Sequence, residues 1–94
     1  MALARVVSFE GVSSERMQQM QSEMNSGQPP EGMPSAEVVV LHDPQQEKSL
    51  VVLIVENEED YRRADEVLSA MPASDTPGQR TAVAKYDVAV RTNT

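Results

Sequence analysis

The chain predicts an α+β domain of β-α-β-β-α-β order, with a single four-stranded antiparallel sheet and two helices on one of its faces. Three observations lead there. Two segments with apolar residues at helical spacing alternate with four segments rich in β-branched residues. Landmarks of the first half of the chain return in the second half at a nearly constant offset. Finally, the run from Leu50 to Val55 is apolar at every position, so a strand there buries both of its sides.

The first strand is read from Leu3 to Glu10, carried by Val6, Val7 and Phe9. Gly11 breaks it, and Ser13 or Ser14 can accept from the free amides that open a helix. Glu15 then lies in the first turn, where the helix dipole favours an anion. Met17, Met20 and Met24 recur at i, i+3 and i+7 and mark one narrow apolar face. Ser26 and Gly27 supply a C-terminal stop, and Pro29 and Pro30 forbid continuation. The second strand is expected from Ala36 to His42, around Val38, Val39, Val40 and Leu41. Asp43 and Pro44 start a tight turn. With Pro44 to Glu47 as its loop, the hairpin sets Asp43 opposite Lys48, a favourable cross-strand pair.

The third strand runs from Lys48 to Glu56. Asn57 then caps a second helix whose first turn holds Glu58, Glu59 and Asp60. Tyr61, Ala64, Leu68 and Met71 form its apolar face, and Pro72 ends it. Thr76 to Gln79 carries Pro and Gly where a type II turn wants them. The last strand is expected from about Thr81 to Arg91, with Val83, Tyr86, Val88 and Val90. Glu10 and Glu56, Met24 and Met71, and Pro29 and Pro77 are each separated by 46 to 48 residues. Two matched β-α-β halves are what a ferredoxin-like sheet requires.

Length and charge narrow the function classes. At 94 residues there is room for one domain, spanning the whole chain. No cysteine occurs, which removes disulfides, thiolate metal sites and a cysteine nucleophile together, and fits a reducing cytoplasm. The N-terminus lacks the features of a signal peptide, and no apolar run approaches the roughly 20 residues that span a bilayer. A cytoplasmic protein is expected. The net charge of −7 comes with scattered basic residues, and Glu58, Glu59, Asp60, Asp65 and Glu66 surround the one adjacent pair, Arg62 and Arg63. A phosphate-tracking surface needs concentrated positive charge. Neither nucleic acid nor membrane is an expected partner.

The apolar third strand has a consequence for assembly. Two helices cover one face of a four-stranded sheet, and an antiparallel sheet left wet on the other normally alternates. Burying a few hundred Å² of aliphatic surface at ~25 cal/mol per Å² is worth roughly 5–10 kcal/mol, comparable to the whole stability of a small domain. A homodimer through the sheet face follows as the expected state.

Element order, size and the doubly apolar sheet converge on a family. With segments such as Arg5 to Gly11 (RVVSFEG), Leu41 to Pro44 (LHDP) and Asp75 to Arg80 (DTPGQR), the chain resembles the dimeric α+β barrel superfamily, and within it the small bacterial proteins similar to antibiotic biosynthesis monooxygenases. The resemblance covers Arg5 to Arg91. It implies two sheets packed face to face, helices outside, and a ligand cavity between helices and sheet. It also implies a small apolar or aromatic ligand, with cofactor-independent monooxygenase, isomerase or cyclase chemistry among the activities. Haem-degrading members share an Asn on the first strand, a Trp in the cavity and an axial His. Here the first strand offers Ser8 and Glu10, no Trp occurs, and neither helix holds a His, so no haem and no other cofactor is expected.

His42 is the one histidine and would serve as a general base or polar handle near neutral pH; the plain alternative is a structural or solvated side chain. Tyr61 brings a hydroxyl to the buried face of its helix, as a cavity donor or as a core residue with a wet tip. Phe9, Met17, Met20 and Leu68 are the candidate walls, with ordinary core packing as their alternative. Glu10, His42, Lys48, Asp75 and Arg80 fall at one edge of such a fold, as a polar rim or a solvated loop edge. The acidic run from Glu56 to Asp60 lacks the spaced ligands and central Gly of a calcium loop, and no metal site is expected. No phosphate loop, nucleophile elbow or zinc-protease pattern occurs. The rival to a ligand-binding homodimer is a non-catalytic structural or interaction module with a filled core.

Overall fold

Four strands and two helices follow one another in the computed structural model, which describes residues 2–26, 32–70 and 78–92. They are β1 (Leu3–Glu10), α1 (Ser14–Ser26), β2 (Glu37–Asp43), β3 (Lys48–Val55), α2 (Glu58–Ser69) and β4 (Gln79–Asp87). The strands form one antiparallel sheet in the order β2-β3-β1-β4. The fold is α+β with the element order of the ferredoxin-like class, as expected.

Local chemistry explains the ends. Gly11, with φ of 70°, turns the chain out of β1 in a conformation that side chains disfavour. Ser13 is the cap of α1, its Oγ accepting from the Arg16 amide at 3.1 Å. Asn57 caps α2 by accepting from the Asp60 amide at 2.8 Å, above the three first-turn acids. Asp43 accepts from the amides of Gln45 and Gln46, which folds the loop, and it faces Lys48 in the hairpin register.

Some boundaries differ from expectation. β2 extends through Asp43 rather than stopping at His42, because the Asp43–Lys48 pair is the last rung of the ladder. β4 starts and ends earlier than the expected span of Thr81 to Arg91. Its start is set by Gly78, where a Cβ would lie 2.4 Å from the Glu10 carbonyl oxygen. Its end follows from its partner: the pairing reaches Leu3 and Asp87, where β1 runs out. The expected helix stops at Gly27, Pro29, Pro30 and Pro72, the last apolar position Met71, and the Thr76–Pro77 turn lie outside the described residues.

Alternation and register sort the sheet into two faces. Leu3, Arg5, Val7 and Phe9 of β1 share one face with Ser49, Val51, Leu53 and Val55 of β3 and with Val38, Val40 and His42 of β2. Both helices lie there. Tyr61 and Ala64 of α2 bury against Leu3, Leu53 and Val55, with Met33 and Leu68 at the margin. Met17 of α1 buries with Val7, Phe9 and Val12, backed by Met20, Val40 and Val51. The opposite face carries Val39, Leu41, Leu50, Val52, Ile54, Ala4, Val6, Ala82 and Ala84 in the same registers, and no described helix packs on it. Leu41 is 50 % exposed there and Tyr86 58 %.

Candidate functional site

On the helix side, α1 and β2 enclose a cleft of about 210 Å³ lined by Met17, Met20, Gln21, Met24, Val40 and His42. The helical spacing of the three methionines turns their thioethers to one side. Opposite them, the even positions of β2 bring Val40 and His42 to the helix face. The His42 Nε2 lies 3.0 Å from the Val12 carbonyl oxygen. A carbonyl only accepts, so Nε2 carries the proton and, in the neutral ring, Nδ1 is the acceptor. Nδ1 makes no hydrogen bond to a described residue. The cleft therefore offers polarizable apolar walls and an oriented imidazole with an open lone pair.

A larger groove, of about 480 Å³, lies at one end of the other face, where Glu10, Leu41, Asp43, Lys48, Leu50 and Thr81 meet. Its floor is irregular because the β1–β4 register shifts between Ser8 and Phe9. The shift leaves Thr81 unpaired, and its hydroxyl donates to the Ser8 carbonyl at 3.2 Å. Among the described residues Lys48 has no ion pair, although Asp43 and Glu10 are its neighbours across the two ladders.

The six residues expected to line one pocket are divided. His42, Met17 and Met20 line the methionine cleft, and Phe9 packs behind Met17. Tyr61 and Leu68 belong to the other buried cluster, under α2. Of the expected polar rim, Glu10, His42 and Lys48 come to the open-face groove. Arg80 is in register with Phe9, on the helix side, and Asp75 lies outside the described residues.

The most buried charge among the described residues was not anticipated. Arg5 is 4 % exposed; its Nε donates to Asp65 Oδ1 at 2.9 Å and its Nη2 to Ser69 Oγ at 3.5 Å. Lys85, beside Arg5 in the ladder, pairs with Glu58 and stands 4.9 Å over the Tyr61 ring. Burial pushes the Tyr61 phenol above its ordinary value, and the Asp65 carboxylate adds to this. The signal was present in the sequence: Arg5 has the same alternation phase as Leu3, Val7 and Phe9, and Asp65 follows Tyr61 by one helical turn.

Among the described residues, no group of three or more His, Cys, Asp or Glu is placed to hold a metal ion, and no helix is long and apolar enough to cross a membrane. No protein-family model and no curated protein matches the chain. What fold and geometry define is thus a class: a ferredoxin-like α+β protein with an apolar open sheet face and a histidine-bearing cleft on the helix side.

Proposed function

We propose that the protein is a homodimer that binds a small apolar or aromatic molecule in the cleft between α1 and β2. The observation that carries this reading is the cleft itself, where three thioethers face an imidazole whose tautomer is set by the Val12 carbonyl. Thioether sulfur packs well against aromatic rings and adapts to irregular shapes. At about 210 Å³ the cleft is below the ~300–1,000 Å³ of drug-sized sites, which favours a single-ring ligand. His42 Nδ1 would accept its hydrogen bond, or take a proton in cofactor-independent oxygenase, isomerase or cyclase chemistry. The apolar open face supports the homodimer, and the absence of cysteine goes with a cytoplasmic location.

The second reading, a filled structural module, is favoured by the two clusters beneath the helices and by the absence, among the described residues, of unpartnered buried side-chain polar atoms. Thermal-shift titration with hydroquinones, single-ring aromatic lactones and haem separates the two. A ligand at a hundred times its Kd stabilises by about 2.7 kcal/mol, a rise of several degrees, expected for a single-ring compound and lost in His42→Ala and Met20→Lys. A flat melting temperature across all three classes, or a shift that survives both substitutions, sinks the ligand-binding reading.

A further inference from the structure

α1 has no apolar residue other than methionine: Met17, Met20 and Met24 are its whole hydrophobic face. α2 fills the same role with tyrosine, alanine, valine and leucine. Methionine is a flexible gap-filler that specifies packing poorly, so packing alone gives little reason for a face made only of it. The other walls of the cleft are Gln21, Val40 and His42, with no carboxylate, ammonium or guanidinium among them. Its donors are thioethers, one amide and one imidazole, none with a negative charge.

We propose that this cleft binds one soft monovalent cation of the Cu(I) class, held by the thioethers of Met17 and Met20 and by Nδ1 of His42. His42 stands at the N-terminal end of α1, since its Nε2 meets the carbonyl of Val12, the residue before the cap Ser13. Met17 is the first methionine from that end, and Met20 follows three residues on, on the same side of the helix. Two donors about one turn apart on a helix can share one ion, as the paired histidines of zinc proteases do. A metal-bound imidazole nearly always donates its other N–H to a carbonyl, a carboxylate or water, which fixes the ring and its tautomer. The Val12 carbonyl, 3.0 Å from Nε2, does this here, and Nδ1 is left as the ligand atom.

Ligand softness and charge select the ion. Thioether sulfur suits Cu(I), whereas Mg²⁺ and Ca²⁺ take oxygen ligands. A donor set without negative charge leaves the charge of the ion uncompensated in the cleft, so one elementary charge costs less there than two. The net charge of −7 draws cations towards the chain. Exposure also rises along α1, from Met17 at 4 % through half-buried Met20 to Met24 at 47 %. Met24 therefore stands at the mouth, as the first sulfur that an entering ion meets. The ion binds without any change of oxidation state. This inference stands beside the organic-ligand reading of the cleft and does not rest on it.

Ag(I), a redox-inert ion of the same class, tests this as silver nitrate in chloride-free buffer. Calorimetric titration should show one ion per chain with a Kd below about 1 μM. In a sample labelled at the methionine methyl groups, the signals of Met17 and Met20 should move furthest, and Zn²⁺ should leave them in place. Met17→Leu and Met20→Leu keep the side-chain volume, and His42→Gln keeps a donor for the Val12 carbonyl while removing Nδ1. Each should weaken Ag(I) binding about tenfold or more with the far-ultraviolet spectrum of the parent. Anaerobic competition for Cu(I) against a chromophoric chelator should rank the variants in the same order. A Kd that survives any of the three substitutions, methyl shifts spread evenly over all the methionines, or equal shifts with Zn²⁺ overturns the site. A flat silver titration strikes the metal site alone, because the organic-ligand reading is judged by its own thermal-shift titration.

Discussion

At the scale of single residues, Arg5 ties the sheet to α2 through polar bonds from within the core. Its stem occupies a core position while its Nε and Nη2 reach Asp65 and Ser69 on α2, so one side chain both packs and hydrogen-bonds. Asp65 is 45 % exposed, which leaves water available to its carboxylate if the partner is lost. Arg5→Met, similar in length and apolar, should therefore cost about 1–3 kcal/mol, below the usual cost of breaking a fully buried pair. Arg5→Lys keeps the charge but gives up the planar fork, and should recover only part of the loss. Chemical denaturation midpoints with an unchanged slope would show it; a loss within about 0.5 kcal/mol for Arg5→Met would mean that the pair does not hold α2. The sequence made Arg5 legible as an inward position by its alternation. Its partner was not legible, because which residue of α2 lies above it depends on how the helix sits across the sheet.

At the scale of elements, α2 is held to the sheet by two ion pairs, Arg5–Asp65 to β1 and Lys85–Glu58 to β4, with Tyr61 between them. Both Tyr61 and Lys85 favour their protonated forms in the fold: burial and Asp65 raise the phenol from its ordinary 10.0, opposed by Arg5 and Lys85, and the hydrogen bond to Glu58 raises the ammonium from 10.5. When pH climbs past these ordinary values, the unfolded chain gives up its protons first and so binds fewer than the native state. The stabilisation is thus complete below about pH 10 and is lost as pH rises through the folded values. Stability should be level in this respect from neutral pH to about pH 9 and fall above about pH 10, and Tyr61→Phe should flatten that alkaline slope. An unchanged slope in Tyr61→Phe would count against a perturbed phenol. The starts of β3 and of both helices were legible because caps, acids and turn residues act locally, as at Asn57 and Asp43; the start of β4 was not, because it follows from the close approach of Gly78 to the Glu10 carbonyl. The end of β4 was not: Val88 and Val90 read as strand, but a strand needs a partner, and Val88 reaches only the Ala2 carbonyl with its amide at 3.0 Å.

At the scale of the whole molecule, the apolar run of β3 and the helix spacing together placed an uncovered apolar face correctly, because side-chain period and helix count follow from sequence alone. The division of the helix side into two cores was hidden, since α1 and α2 each bury against a different end of the same strands. That division is why Tyr61 does not share the cleft of His42. Whether the open face is an interface can be asked directly at Val52, which pairs with Val39 on β2 and Val6 on β1 and so stands in the middle of the face. Val52→Asp leaves the helix-side clusters untouched. In a monomer the new carboxylate meets water at little cost, and the melting temperature should hardly move. In a sheet-to-sheet dimer each interface buries two such carboxylates, at several kcal/mol apiece, so the Kd should weaken by at least about a hundredfold. The expected result is a folded monomer in sedimentation, with the far-ultraviolet spectrum of the parent. An equally tight dimer in the variant would place the contact between copies elsewhere, and the open face would then have to be explained by another occupant.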